Sequence, residues 1–495
     1  MARWEFAIQL DRQKGVPLFQ QIAQAVTDAI RGGRLRPGDA LPGTRTLARS
    51  LGVQRLTVTT AFDELVAEGW IVTRPARGAF VSPALPDLRP RRFAPGAAER
   101  TGVPERAVFE VPPGPPGEMP YEVPPGGLLF APNRPDVRLI PHDLIGRAYR
   151  RAIRRGGRIL LSYGRPQGHE RLRAAIAAML SATRGIAATA DDVCITRGSQ
   201  MALALLARTL VRPGDAVAVE ALGYRPAVQI FRLQGATVVP IPLDEEGLRI
   251  EPLERLAREG RLRAVHVTPH HQFPTTVTLS AARRLRLLEL ARTAGFAVIE
   301  EDYDHEFHYD GRPVLPLASA DRHGVVAYVG TLSKVLAPAL RTGYVVAPRS
   351  LLAALIAHRL YIDVQGDRVL EYALGELMEE GEIQRHIRRV RREYAARRDV
   401  LAGALKTTLG GALSFAVPAG GIALWARAAK GIDIEDWARR ARARGAVMVT
   451  GAAFALDGRP RPYARLGFAS LDRRELVEAV RRLAEARPRT TLRGS

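Results

Sequence analysis

The stretch VGTLSKVLAPALRTGY, residues 329–344, decides how this chain is interpreted. It places Lys334 between a β-type run and a second apolar run. The sequence holds 73 lysines and arginines, of which only four are lysines: Lys14, Lys334, Lys406 and Lys430. Imine formation with an aldehyde is a reaction in which arginine cannot replace lysine, because a guanidinium stays protonated. With a hydroxyl before it and Arg341 after it, Lys334 suits a phosphorylated aldehyde, namely pyridoxal 5′-phosphate (PLP). A surface lysine that follows a strand is the alternative.

Length and charge set the broad class. A chain of 495 residues is too long for one core, so two or more domains are expected. The net charge of +22 points to a polyanionic partner, although residues 1–82 hold only about eleven basic and seven acidic side chains. The single cysteine, Cys194, excludes an internal disulfide framework. With no apolar run of membrane-spanning length and no signal-peptide pattern, the sequence predicts a cytoplasmic protein.

Residues 17–82 have the pattern of three helices followed by a β-hairpin. The first helix begins at Pro17 and ends at Gly32, and Gly52 separates the second helix, TRTLARSL, from the third, QRLTVTTAFDELVAEG. The alternating stretch WIVTRPARGAFVS predicts the hairpin. Helix, tight turn and helix is the arrangement that sets a recognition helix in the major groove of DNA. We therefore predict a winged helix-turn-helix domain over residues 1–82.

Polar side chains mark the surface that would meet DNA. They lie at the start of the second helix, along the front of the third and at the hairpin turn: Arg45, Gln54, Arg55, Thr57, Thr59, Arg77 and Gly78. A small structural three-helix domain with solvated arginines is the alternative. After this module, residues 83–127 hold about a dozen prolines and show no helical or strand period, which is typical of a semi-extended, mobile linker.

From residue 128 to 495, strand-like runs alternate with amphipathic helices. The runs are DVCIT, AVAVE, TVVPIPL, AVHVTP, FAVIEED and VAYVG. This alternation predicts an α/β fold with a mainly parallel sheet, whose ligands bind beyond the carboxyl ends of the strands. The polar residues that follow the runs are Ser199, Gln200, Tyr224, Glu301, Asp302 and Tyr303. A helix start after Gly198 offers an anion site, and a strand-end carboxylate can keep a pyridine nitrogen protonated.

The pair His270–His271 suggests a metal site, but the sequence argues against one. Adjacent side chains are expected to diverge, and no third ligand stands nearby in the sequence. No metal is therefore predicted.

Each of these motifs is weak alone, but their order and spacing resemble known families. PLFQQIAQAVTDAI, LGVQRLTVTTAFDELVAEGW and RGAFV resemble the winged helix-turn-helix of GntR-type bacterial regulators. SYGRPQGHERLR, TPHHQFPTT, IEEDYDHEFHYDGRP, GTLSKVLAPALRTGY and YARLGFAS resemble fold-type I PLP enzymes of the aminotransferase superfamily. Over roughly residues 17–82 and 128–485, the chain resembles the MocR family, in which a GntR-type domain is joined to an aminotransferase-like domain.

The resemblance implies a role for each matching position. Lys334 would be the Schiff-base lysine, Tyr224 the ring stacked on the cofactor, and Tyr303 the partner of its ring oxygen. Five residues would surround the phosphate: Ser199, Gln200, Thr331, Ser333 and Arg341. Tyr163 would come from the neighbouring subunit of a homodimer, with or without domain swapping, and Arg465 would receive a carboxylate of the effector or substrate.

Three positions depart from the aminotransferase pattern. Glu301 stands where the usual aspartate meets the pyridine nitrogen, so either its longer side chain or Asp302 must serve. Phe273 replaces an asparagine and Thr276 a glycine. These changes predict little efficient transamination. The expected function is a PLP-dependent transcriptional regulator that binds double-stranded DNA and senses an amino compound or PLP. The alternative is an active aminotransferase fused to a DNA-binding module.

Overall fold

The computed structural model describes residues 8–12, 15–75, 77–85, 106–115 and 121–488. The chain divides into two units, Met1–Pro113 and Gly114–Ser495. Each unit is described by itself below. Within the described residues, no helix is both long and apolar enough to cross a membrane.

The described part of the first unit forms helices α1 (Leu18–Arg31), α2 (Thr44–Leu51) and α3 (Arg55–Ala67), then strands β1 (Ile71–Arg74) and β2 (Gly78–Val81). Ile22, Val26 and Ile30 recur every four residues along α1 and are buried against α3. Gly52 ends α2 in the left-handed conformation, with φ 62°, which a side chain would disfavour. The antiparallel pairing of β1 with β2 gives the wing. The predicted winged helix-turn-helix is confirmed.

The helices of the second unit pack on both faces of a large sheet and against a smaller one. They are α4 (His142–Leu160, interrupted at Gly157), α5 (Glu170–Arg184), α6 (Gly198–Leu210), α7 (Arg225–Leu233), α8 (Ile250–Arg258), α9 (Ala281–Ala294), α10 (Leu317–Ala320), α11 (Arg349–Leu360), α12 (Arg368–Glu379), α13 (Glu382–Leu409), α14 (Ile434–Ala443) and α15 (Arg473–Glu485).

The strands of the second unit form one large sheet and several smaller ones. They are β3 (Leu128–Leu129), β4 (Val193–Thr196), β5 (Ala216–Glu220), β6 (Thr237–Ile241), β7 (Leu243–Asp244), β8 (Gly247–Leu248), β9 (Leu262–Val267), β10 (Ala297–Asp302), β11 (Val326–Thr331), β12 (Gly343–Val346), β13 (Leu413–Ser414), β14 (Ala423–Ala428), β15 (Ala446–Val447), β16 (Val449–Thr450) and β17 (Tyr463–Gly467).

Seven strands of the described chain form the large sheet, in the order β4-β12-β11-β10-β9-β5-β6. Pairings are parallel from β11 to β6, and β12 runs antiparallel to both of its neighbours. Alternate residues of each strand enter two different cores: Ile299 packs with the core that contains α6 and α7, and Val298 with the core that contains α8 and α9. Burial on both faces explains why these strands appear in the sequence as continuous apolar runs. The predicted mainly parallel α/β sheet is confirmed.

A second, antiparallel sheet, in the order β13-β14-β17-β16, carries Arg465 on β17. The short strands β15 and β3 pair beside it, so the segment that begins at Leu128 belongs to the second unit. Most of the predicted linker, residues 86–105 and 116–120, lies outside the described residues. Its described parts form no helix or strand before residue 128. The predicted domain limits at residues 82 and 127 therefore stay predictions.

Candidate functional site

A cavity opens where the carboxyl ends of the large sheet meet the N-terminus of α6. The empty space inside it is about 630 Å³, open mouth included. Nine predicted cofactor residues line it: Ser199, Gln200, Tyr224, Glu301, Tyr303, Thr331, Ser333, Lys334 and Arg341. The remaining lining residues are Asn133, Thr268, Phe273 and Pro338. Residues that are far apart in the sequence thus share one cavity.

Lys334 lies just after β11, and its Nζ donates to the main-chain oxygen of Asn133 over 2.9 Å. Burial lowers the pKa of Lys334 to about 8, an effect that Glu301 opposes and Arg341 strengthens. A substantial fraction of the amine is therefore neutral near physiological pH, and the neutral amine is the nucleophilic form.

An anion site is built at the N-terminus of α6. Arg341 Nη2 donates to the main-chain oxygen of Arg197 over 3.0 Å. Gly198 has φ 76°, and a Cβ there would lie 2.7 Å from Arg341 Nη2, so glycine lets the guanidinium lie against the helix start. The hydroxyls of Thr331 and Ser333 are 3.0 Å apart in the same cavity. A guanidinium, two hydroxyls and a helix N-terminus together suit a phosphate.

The two carboxylates at the end of β10 point to opposite faces of the sheet. Glu301 lines the cavity, with Oε2 3.1 Å from His266 Nε2. Asp302 accepts from Tyr328 Oη over 2.7 Å on the other face and lies outside the cavity lining. Burial alone would raise the pKa of Asp302, but His305 and Arg184 hold it well below its ordinary value. Because successive strand residues alternate, only Glu301 of this pair faces the cavity, and the prediction for Asp302 is corrected accordingly.

Aromatic rings form one wall of the cavity. Phe273 contacts Tyr224 edge-on at 5.9 Å between ring centroids and Tyr303 edge-on at 6.0 Å. Gln200 Nε2 donates to Tyr224 Oη over 3.0 Å. Tyr303 Oη donates to the main-chain oxygen of His271 over 2.9 Å, and burial raises the pKa of this phenol well above its ordinary value. Tyr303 thus stays a hydrogen-bond donor.

Besides Asp302, two predicted residues lie outside the cavity lining. Tyr163, in the loop after α4, is 84% exposed, and the cavity of its own chain is lined without it. Arg465 is fully buried (0% exposed), with its guanidinium carbon 4.7 Å from the Phe273 ring centroid. Its Nε donates to the oxygen of Pro132 over 2.9 Å and its Nη1 to that of Pro274 over 2.5 Å. Its Nη2 has no hydrogen-bond partner in the described part of the chain.

Four residues of the site were not predicted from the sequence: Asn133, Thr268, Pro338 and His266. Thr268 comes directly after β9, so the strand-end rule that selected Glu301 should have selected it too. His266 lies on β9 opposite Ile299 of β10, on the same face as Glu301. Asn133 precedes α4 in a segment without strand or helix periodicity, and no sequence signal marks it.

The histidine pair departs from its prediction. His270 and His271 occupy a bend after β9, so the alternation that separates neighbours on a strand does not apply. Their ring centroids are 4.2 Å apart, and ligand atoms of His270, His271 and His308 all lie within 4.8 Å of one another. The expectation that the two side chains diverge is wrong, and His308, distant in the sequence, lies within reach as a third imidazole. Burial, with His271 beside it, lowers the pKa of His270 to about 2, so this ring is neutral at physiological pH.

The predicted DNA-contacting residues gather at the front of α3 and at the wing. Gln54 immediately precedes α3 and Arg55 begins it. Both are exposed, as are Arg45 on α2 and, at the wing turn, Arg77 and Gly78; Thr57 and Thr59 are half-buried. Arg55 Nε donates to Thr44 Oγ1 over 3.3 Å, and Thr59 Oγ1 donates to the main-chain oxygen of Arg55 over 3.1 Å. These contacts position Arg55 at the solvent-facing start of the helix.

Both units of the chain match known protein families. Residues 18–81 match the family of bacterial regulatory proteins named gntR, and residues 140–483 match aminotransferase class I and II. The probable rhizopine catabolism regulatory protein MocR of Rhizobium meliloti is 31% identical over 96% of this chain and 95% of its own length. The chain belongs to the MocR family. The HTH-type transcriptional regulator TauR of Rhodobacter capsulatus is 33% identical over 95% of this chain and 96% of its own.

The second unit of this MocR-family chain is also similar to solved aminotransferase structures. LysN, the α-aminoadipate aminotransferase of Thermus thermophilus, superposes with a TM-score of 0.67 and 31% sequence identity. The match covers 73% of this chain and 92% of LysN, whose structure holds N-(5′-phosphopyridoxyl)-L-leucine. The α/β unit is therefore a fold-type I aminotransferase domain.

Proposed function

We propose that this MocR-family chain is a DNA-binding transcriptional regulator that holds PLP on Lys334 and responds to an amino compound or to PLP. One observation carries the proposal: the cavity brings a half-buried lysine, an anion site and a carboxylate together on a chain that also has a winged helix-turn-helix. An effector acts in such a protein only if it binds two arrangements of the chain with different affinities. We further propose that the protein works in the cytoplasm, where it reaches DNA.

The residues of the cavity fit PLP. Bound PLP supplies an aldehyde that reacts with amines and a ring that accepts electrons. Lys334 offers the amine. Arg341 and the N-terminus of α6 would hold the phosphate, together with the hydroxyls of Ser199, Thr331 and Ser333. Glu301, oriented by His266, would hold a proton at the pyridine nitrogen.

A homodimer is part of the proposal. Tyr163 would complete the phosphate site of the other subunit. In support, the same stretch exposes Ile159 (75%) and Leu161 (68%), and large apolar side chains that cluster at a surface favour a protein contact.

The lowered pKa of Lys334 predicts how the rate of PLP attachment depends on pH. Below pH 8 Nζ is mostly protonated and cannot attack an aldehyde, so we expect PLP attachment to apo-protein to accelerate as pH rises. The rate should level off above about pH 8, following the lowered pKa of Lys334. The measurement is a stopped-flow rate of PLP attachment from pH 6 to 10. A rise that continues to the ordinary lysine value near 10.4 would show that the cavity does not lower the pKa.

Aminotransferase activity is the second candidate, since the domain is similar to LysN and retains Lys334 and Arg465. Two features of the site weigh against efficient turnover. The phenyl ring of Phe273 offers no hydrogen bond to a cofactor oxygen, and Tyr303 already donates to the main-chain oxygen of His271. Two nitrogens of Arg465 already donate to main-chain carbonyl oxygens. The guanidinium therefore has fewer N–H groups left to bind a substrate carboxylate.

We therefore expect amino compounds to change the spectrum of the bound cofactor without rapid conversion to a keto product. Exchange of one amine for another needs only the aldehyde carbon of PLP. Removal of a proton from the α-carbon of the amino compound also depends on the hydrogen bonds that hold the PLP ring. Holo-protein should be incubated with a panel of amino acids, γ-aminobutyrate and taurine, each with 2-oxoglutarate, and the products quantified. Multiple turnovers near the rate of ordinary enzymes, about 10 per second, would favour the aminotransferase function instead.

A further inference from the structure

A second cluster of reactive side chains, separate from the cofactor cavity, surrounds His270. It consists of His270, His271 and His308, with Asp304 behind them; the three histidines line a surface groove, and none of them lines the cofactor cavity. Both ring nitrogens of His270, Nδ1 of His308 and Oδ2 of Asp304 are buried without a hydrogen-bond partner among the described residues. A buried polar atom without a partner is destabilising, so several in one place indicate a missing ligand.

The cluster has the internal support that metal sites have. Asp304 Oδ1 lies 2.9 Å from His271 Nδ1, and this contact leaves Nε2 as the ring atom that can bind a metal. A carboxylate bound to the far nitrogen of a histidine ligand is a recurrent feature of zinc sites. His308 lies on a segment held by an antiparallel bridge to Gly420, which also lies against His271. Two separate parts of the chain thus present the ligands.

We propose that His270, His271 and His308 bind one divalent transition-metal ion of the zinc type. Three imidazoles are a ligand set that zinc accepts, with water in the fourth position, and the groove gives water access. Metal–nitrogen bonds of about 2.0–2.1 Å place tetrahedral ligand atoms about 3.3 Å apart. From separations within 4.8 Å, small side-chain rotations close the site. Cys194 is buried in the core of the large sheet and is not a ligand.

The test is isothermal titration of Zn²⁺ into full-length, untagged holo-protein that has been stripped of metal and freed of unbound PLP. The expected result is one Zn²⁺ per chain with Kd of about 1 µM or tighter, in the manner of a three-nitrogen site. His308→Gln should weaken binding at least about tenfold because a ligand is lost, and Asp304→Asn about 10- to 100-fold because His271 loses its orienting partner.

The matched control is His142→Gln, which removes an exposed histidine far from the cluster in sequence and should leave Zn²⁺ affinity unchanged. Circular dichroism and the absorbance of bound PLP establish that each variant is folded. His308 is only half-buried, so its replacement is the mildest of the three ligand changes. The proposal is overturned if wild-type protein binds no Zn²⁺ saturably, or if His308→Gln and Asp304→Asn bind it as tightly as wild type.

Discussion

Replacement of Lys334 by alanine is expected to remove all covalent attachment of PLP to the chain. Lys334 is the lysine that lines the cavity, where its amine lies near the carboxylate of Glu301 and the guanidinium of Arg341. Removing the amine leaves the phosphate site intact, so PLP can still bind weakly but cannot be attached covalently. The measurement is the visible absorbance of holo-protein, followed by borohydride reduction and mass analysis of the labelled peptide.

Three variants sharpen this test. Lys334→Arg keeps a cation but offers no nucleophile, and it should fail as completely as alanine. Lys406→Ala and Lys430→Ala remove exposed lysines elsewhere and should retain full labelling. Borohydride-stable PLP on the Lys334→Ala chain would place the reactive lysine elsewhere.

Arg55→Ala is expected to weaken binding to the preferred DNA sequence by about 1–3 kcal/mol, the effect of losing a bidentate contact to a base. Arg55 is exposed at the first position of α3, which is where a recognition helix meets base edges. Discrimination at one or two base pairs should relax at the same time. Fluorescence anisotropy with duplexes selected from a random pool, and with the same duplexes mutated one pair at a time, measures both effects.

Arg45→Ala is the informative comparison, since Arg45 is exposed on α2 and is expected to meet a phosphate. Its loss should weaken all duplexes about equally and lower the slope of log affinity against log salt by about 1. Lys406→Ala, in the other unit, should change neither. Unchanged DNA affinity in both arginine variants would refute the proposed DNA-binding surface.

Most of the site could be predicted because its residues follow strands. In a parallel sheet the carboxyl ends meet at one edge, so Glu301, Tyr303 and Lys334 had to come near one another. Successive side chains of β10 point to opposite faces of the sheet. Had the end of the strand been known, this rule would also have shown that only one of Glu301 and Asp302 faces the cavity. Turn glycines and apolar spacing likewise sufficed for the helices of the first unit.

What could not be predicted depends on contacts between distant segments. Nothing near Asn133 in the sequence shows that its main-chain oxygen meets Lys334. The carbonyls that engage Arg465 come from Pro132 and Pro274, each far from it in the sequence. His308 reaches the His270–His271 bend only because its segment pairs with Gly420. Periodicity and motif spacing contain no information about contacts between residues that are distant in the sequence.

We infer that chemistry at Lys334 controls DNA binding, and DNA affinity measured with and without cofactor and amine decides whether it does. Wild-type protein and Lys334→Ala should be titrated against a selected duplex in the absence of PLP, with PLP, and with PLP plus each amine of the panel. We predict that PLP, or PLP with at least one amine, changes the wild-type affinity about fivefold or more, the lower range of allosteric coupling, and leaves Lys334→Ala unchanged. Equal responses of the two proteins, or no response of wild type to PLP and every amine, would show that chemistry at Lys334 does not control DNA binding.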